Sequence, residues 1–159
     1  MVSRSALDTD ALFSAVQSGE SSPEDFADFM HVAYESGINF FSVSAMHGCA
    51  AGTGQSNAAD PPEAFSKLSD LLNEIRQSVK LAFISEAATG PELENDVRRA
   101  LDFWHIDYFD LCRIRDPGFV PSSGGSLYES LKKLHENGTI LHTGFVSEDF
   151  ERIKEAADL

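Results

Sequence analysis

His47-Gly48-Cys49 sets an imidazole and a thiol two positions apart, a spacing that could supply two ligands to a metal ion. No second pair shares that spacing, because Cys112, the other cysteine, stands alone far along the chain. A zinc site is therefore not expected, and Cys49 and Cys112 are expected as buried, reduced thiols. The Gly-rich stretch from Gly48 to Ser56 has the composition of a phosphate cradle. It fails the spacing of a P-loop and carries Gln55 where such a loop needs lysine, so it is expected as a plain loop. Twelve basic residues against twenty-six acidic ones give a net charge of −14. That balance opposes nucleic-acid binding, which needs clustered Lys and Arg, and it makes a phosphate-rich pocket harder to build.

Any such chemistry has to be positioned by the elements around it. At 159 residues, with 42% apolar and 24% charged residues, the chain has room for one globular domain. No run is long enough to span a bilayer, and Met1-Val2-Ser3-Arg4-Ser5 lacks the apolar core of a secretory signal, so no membrane association and a cytoplasmic location are expected. Residues 1–21 carry weak signals and are expected as a weakly structured segment, with Ala11 to Val16 as a short strand. Ser22-Pro23-Glu24-Asp25 reads as a helix start, followed by Phe26, Phe29, Met30 and Ala33 at helical spacing and stopped by Gly37. Asp60-Pro61-Pro62-Glu63 opens a second helix carrying Phe65, Leu68, Leu72 and Ile75. A third carries Leu93, Val97, Leu101 and Trp104. Ser126-Leu127-Tyr128-Glu129 reads as a capping box before a fourth, which Asn137-Gly138 ends, and Ser147 reads as the cap of a last one with Phe150 and Ile153. Between them lie apolar runs of strand type, over Ile38–Val43, Lys80–Ser85, Tyr108–Ile114 and Ile140–Val146. Strands alternating with helices predict an α/β fold with a parallel sheet covered by helices. An open doubly wound sheet and a segment of a barrel both satisfy this pattern.

Three segments carry a resemblance that chooses between them. Ala33-Tyr34-Glu35-Ser36-Gly37-Ile38-Asn39-Phe40-Phe41-Ser42-Val43-Ser44-Ala45-Met46-His47-Gly48 resembles the aldo-keto reductase pattern A-x-x-x-G-I-N-x-F-D-T-A-x-x-Y-G. The run from Asp96 to Leu111, ending Asp107-Tyr108-Phe109-Asp110-Leu111, is similar to that family's helix and D-Y-x-D-L. The run from Leu131 to Phe145 is similar to its L-x-x-L-x-x-x-G-K-I-R-x-x-G-V. Together these keep family order and spacing over roughly residues 23 to 157. Arg115-Asp116-Pro117 and the stretch Gly144 to Ile153 lean toward the fungal branch resembling pyridoxal reductases. The resemblance implies a partial TIM (β/α)8 barrel of four to five βα units over residues 22–159.

It also implies NADPH-dependent carbonyl reduction, in which a tyrosine gives a proton to the carbonyl oxygen beside a lysine, a histidine and an aspartate. Matched residue by residue, the aspartate position is Ser42, the tyrosine position His47, the lysine position Glu86 and the histidine position Arg115. None keeps its family identity. A carboxylate at the lysine position opposes a developing oxyanion. The nicotinamide amide, held in the family by Ser-Asn after the fifth strand, would meet Val146 and Ser147. The leading expectation is thus a truncated, degenerate and catalytically inactive relative that binds no cofactor, NADPH being the only candidate. One alternative is an active aldehyde or pyridoxal-type reductase, with His47 as acid, oriented by Glu86, and Arg115 stabilising the alkoxide, or with the site completed by another chain. The other is a non-catalytic binding or regulatory module. A complete barrel of this kind needs about 250 residues, so a homodimer or a partner chain is expected to cover the half-barrel edges.

Overall fold

Ser22 begins a helix by exchanging two hydrogen bonds with Asp25: its hydroxyl accepts from the Asp25 amide at 3.0 Å, and the Asp25 carboxylate accepts from the Ser22 amide at 3.0 Å. Pro23 at the first helical position costs nothing there, since that amide has no intrahelical partner. Gly37, at φ +92°, lets the chain turn out of the helix. The computed structural model describes residues 2–3, 5–44, 66–122 and 124–157. In chain order its elements are β1 (Leu7–Asp8), α1 (Asp10–Ser18), α2 (Pro23–Glu35), β2 (Phe40–Ser44), α3 (Ser66–Ile75), β3 (Lys80–Ser85), α4 (Gly90–Trp104), β4 (Leu111–Arg115), α5 (Ser126–Glu136), β5 (Thr143–Val146) and α6 (Phe150–Ala157).

The five strands form one sheet in the order β1-β2-β3-β4-β5, every neighbouring pair parallel. A doubly wound sheet reverses its strand order at a switch point, whereas a barrel adds each strand beside the last. The sequential order therefore selects the barrel arrangement. Strand alternation sorts the side chains into two layers. Phe41, Val43, Leu81, Phe83, Cys112 and Ile114 face the helices and join Phe26, Met30, Leu68, Leu72, Leu93, Val97 and Trp104 in one core. The opposite parity, with Ser42, Ala82, Ile84, Leu111, Arg113, Arg115, Gly144 and Val146, forms the inner face. Among the described residues, no helix is long and apolar enough to cross a membrane.

The stretch Ala11 to Val16, expected as a strand, is helical and lies inside α1. Its buried contacts explain why: Leu12, Phe13 and Val16 reach the core at helical spacing. The Asp8 carboxylate accepts from the Asp10 amide at 2.9 Å at the start, and Gly19, at φ +78°, ends the helix. Leu7 and Asp8 pair with Phe41 and Ser42, which ties the N-terminal segment to the sheet. The expected capping box at Ser126 is not formed either. Gly125 holds the cap position, and the Ser126 hydroxyl instead accepts from the Gly90 amide at 3.3 Å, on the neighbouring helix. The expected start of the second helix at Asp60 lies outside the described residues.

The lower end of the sheet is closed by a buried ionic cluster. Arg76 donates to the Asp110 carboxylate at 2.9 Å and to the Tyr108 carbonyl at 2.9 Å, with its guanidinium 3.8 Å from the centre of the Tyr108 ring. Lys80 reaches Asp110 at 2.7 Å, and the Leu81 amide donates to it at 3.1 Å. Burial disfavours the ionised carboxylate, but these hydrogen bonds and the Arg76 charge outweigh it and hold the Asp110 carboxyl below its ordinary range.

Candidate functional site

Ser42, Glu86 and Arg115 lie on the inner face and toward the carboxyl ends of its strands, where barrel enzymes place their chemistry. Ser42 is the third residue of β2 and almost wholly buried; its hydroxyl accepts a hydrogen bond from Arg113 Nη2 at 2.5 Å. Glu86 directly follows β3, and Arg115 closes β4. Their side chains meet, with Arg115 Nε 3.2 Å from Glu86 Oε1, and remain 54% and 57% exposed. Arg115 sits level with Val146, the last residue of β5. His47 lies outside the described residues, as do Cys49 and the Gly48–Ala59 loop.

Three of the four tetrad-matched positions are thus described, and they fall into two separate interactions. Glu86 and Arg115 neutralise each other at the mouth. Ser42 is engaged one level down by Arg113, a residue the sequence reading passed over. The alternation Cys112-Arg113-Ile114-Arg115 was the available signal, since period two places both arginines on one strand face. Cys112, on the other face, is a free thiol buried in the core, where desolvation pushes its pKa up to about 12.

Beyond β5 the chain is tied back to the β4 loop. The Ser147 hydroxyl donates to Asp116 Oδ2 at 2.5 Å and accepts from the Asp149 amide at 2.9 Å. Arg152 Nη1 lies 2.8 Å from the same Asp116 oxygen. The Ser147 hydrogen bond, more than offsetting desolvation, and the Arg152 guanidinium hold the Asp116 carboxyl below its usual range. Ser147 is not the cap of α6. Asp149 takes that place, accepting from the Glu151 amide at 3.0 Å, because the helix begins three residues later than Ser147. Among the described residues, no group of three or more His, Cys, Asp or Glu side chains is arranged to hold a metal ion.

Comparison with known proteins meets this geometry directly. The family described as "Aldo/keto reductase family" matches residues 12–159. No curated protein matches the chain. An aldo-keto reductase from Bacillus halodurans superposes with a TM-score of 0.63 at 20% identity, covering 87% of this chain and 43% of the other. A putative aldo-keto reductase from Pseudomonas aeruginosa gives a TM-score of 0.72 at 17% identity over 99% of this chain and 59% of the other. An aldo-keto reductase from Klebsiella pneumoniae in complex with NADPH gives 0.63 at 16% identity, covering 83% and 42%. At these identities the likeness is one of fold. The chain spans about half the length of the structures it matches.

Proposed function

Because the chain belongs to the aldo/keto reductase family, we propose that it keeps that family's barrel scaffold without its carbonyl-reducing chemistry. The observation that carries this reading is the 3.2 Å pair between Glu86 and Arg115 at the ends of β3 and β4. In the resemblance these are the lysine and histidine positions, which share and lower the proton affinity of the acid. A carboxylate there favours protonated over deprotonated neighbours, the opposite of what a phenol donor needs. The neighbouring guanidinium is engaged by that carboxylate, and an arginine does not release its proton in the working pH range. Ser42, at the aspartate position, is a neutral hydroxyl that carries no charge to orient a cation.

The cofactor side supports the same reading. Val146 offers no polar side chain to a nicotinamide amide. The Ser147 hydroxyl spends its proton on Asp116 and a lone pair on the Asp149 amide. The described residues at this position do not fit the nicotinamide end of NADPH.

The test is an assay of NADPH oxidation by the purified chain with pyridoxal as the aldehyde, the substrate class of the fungal branch it leans toward. The expected rate is that of buffer alone. Saturable turnover lost in His47→Ala would instead establish a reductase with a reassigned acid.

A further inference from the structure

We propose that Arg113 anchors an oxyanion-binding site on the inner face of the sheet, taking the carboxylate or phosphate group of a small ligand. Among the described residues Arg113 has no acidic partner, whereas the guanidinium groups of Arg76, Arg115 and Arg152 each lie within ion-pair distance of a carboxylate. Among the described residues its hydrogen bond goes to the neutral Ser42 hydroxyl, and its Nε, like that of Arg76, is buried without an acceptor. A half-buried cation left this way is costly in a chain of net charge −14, where carboxylates are plentiful. Native structures satisfy nearly all such groups, and the exceptions call for a missing partner.

The neighbours on this face are mixed in charge, since Asp8 stands level with Ser42 on β1. Gly144 stands level with Arg113 on β5, and a Cβ there would come within 3.3 Å of Arg113 Cγ, so the absent side chain leaves room for the arginine stem. Above it, Arg115 is paired with Glu86 at the strand ends. The Ser42 hydroxyl accepts from Arg113 and keeps its own proton, which makes it a second donor beside the guanidinium. A planar guanidinium with a hydroxyl alongside matches the two-oxygen edge of a carboxylate or phosphate. The site stands whether or not carbonyl reduction survives.

Thermal unfolding of the full chain in inorganic phosphate, in acetate, and in sodium chloride of equal ionic strength tests the assignment. A saturable rise in midpoint of roughly 2–4 °C or more is expected with phosphate or acetate over chloride. The rise should vanish in Arg113→Gln and persist in Arg115→Gln. Whichever anion acts at the lower concentration tells phosphate from carboxylate ligands. Should Arg113→Gln fail to fold, the Nε–H resonance of Arg113 in isotope-labelled wild-type protein provides the second reading, shifting saturably with the effective anion. Equal effects of all three salts, a response retained in Arg113→Gln, or an unmoved Nε–H resonance would overturn the proposal.

Discussion

Glu86 and Arg115 form an ion pair 3.2 Å long at the carboxyl ends of adjacent strands, both side chains more than half exposed. Its consequence is electrostatic rather than structural. Exposed pairs of this kind contribute between nothing and about 1 kcal/mol, because water already solvates both charges. Glu86→Gln should therefore shift the unfolding free energy by less than about 1 kcal/mol, and the difference should shrink further in high salt. Urea denaturation at two ionic strengths measures it. A larger loss would show that the pair holds the strand ends together.

Arg76 and Asp110 behave in the opposite way, since both side chains are over nine-tenths buried. Asp110→Asn leaves the guanidinium in the interior without its counter-charge, and a cost of about 3–5 kcal/mol is expected. The pH dependence has a definite sign. The folded-state pKa of Asp110 is depressed, so its contribution is fully present above the unfolded value of about 3.9 and is lost as pH falls through the folded one. Stability of the wild type should drop on acidification below about pH 4, and Asp110→Asn should flatten that drop. Denaturation curves at a series of acid pH values read both effects.

The elements that were legible share one physical trait. Lys80–Ser85 is a short apolar run bounded by polar residues, with its ends fixed by burial on both faces, and it is β3 residue for residue. Gly37 and Gly138 mark real helix ends because positive φ there excludes other residues at little gain. Ala11–Val16 is ambiguous in sequence because six residues are too few for period two and period 3.6 to separate, and packing of Leu12, Phe13 and Val16 decides for the helix. Ser126 and Ser147 are good caps by type, yet each is drawn to a tertiary partner that local spacing does not reveal, Gly90 in one case and Asp116 in the other. Of the tetrad-matched positions, Glu86 and Arg115 fall at strand ends, Ser42 lies within β2, and His47 lies outside the described residues. The bond between Ser42 and Arg113 could not be read from the sequence, since it joins residues 71 apart across an intervening strand.

Gly90 is required by the close approach of α4 and α5. A Cβ at this position would sit 2.4 Å from the Ser126 carbonyl oxygen and 2.5 Å from the Ser130 hydroxyl. The backbone atom cannot swing aside, so Gly90→Ala should cost about 1–3 kcal/mol through a forced shift of the helix pair. Ser130 also holds Glu94, which Lys133 reaches at 2.6 Å, so the same variant should weaken that cross-helix contact. Chemical denaturation against wild type checks the cost.

Cys112 should resist alkylation in the native state. Its thiol is buried and its pKa raised to about 12, so almost no thiolate is present at neutral pH. Peptide mapping after iodoacetamide treatment should find Cys112 unmodified in native protein and modified after denaturation.

A calorimetric titration of the purified chain with NADPH tests the central claim most directly, because the loss of family chemistry requires no occupied cofactor site. No saturable heat at micromolar protein and cofactor is the predicted result. A saturable isotherm with a micromolar dissociation constant, abolished by substitution of Ser147, would contradict the account and return the chain to the working members of its family.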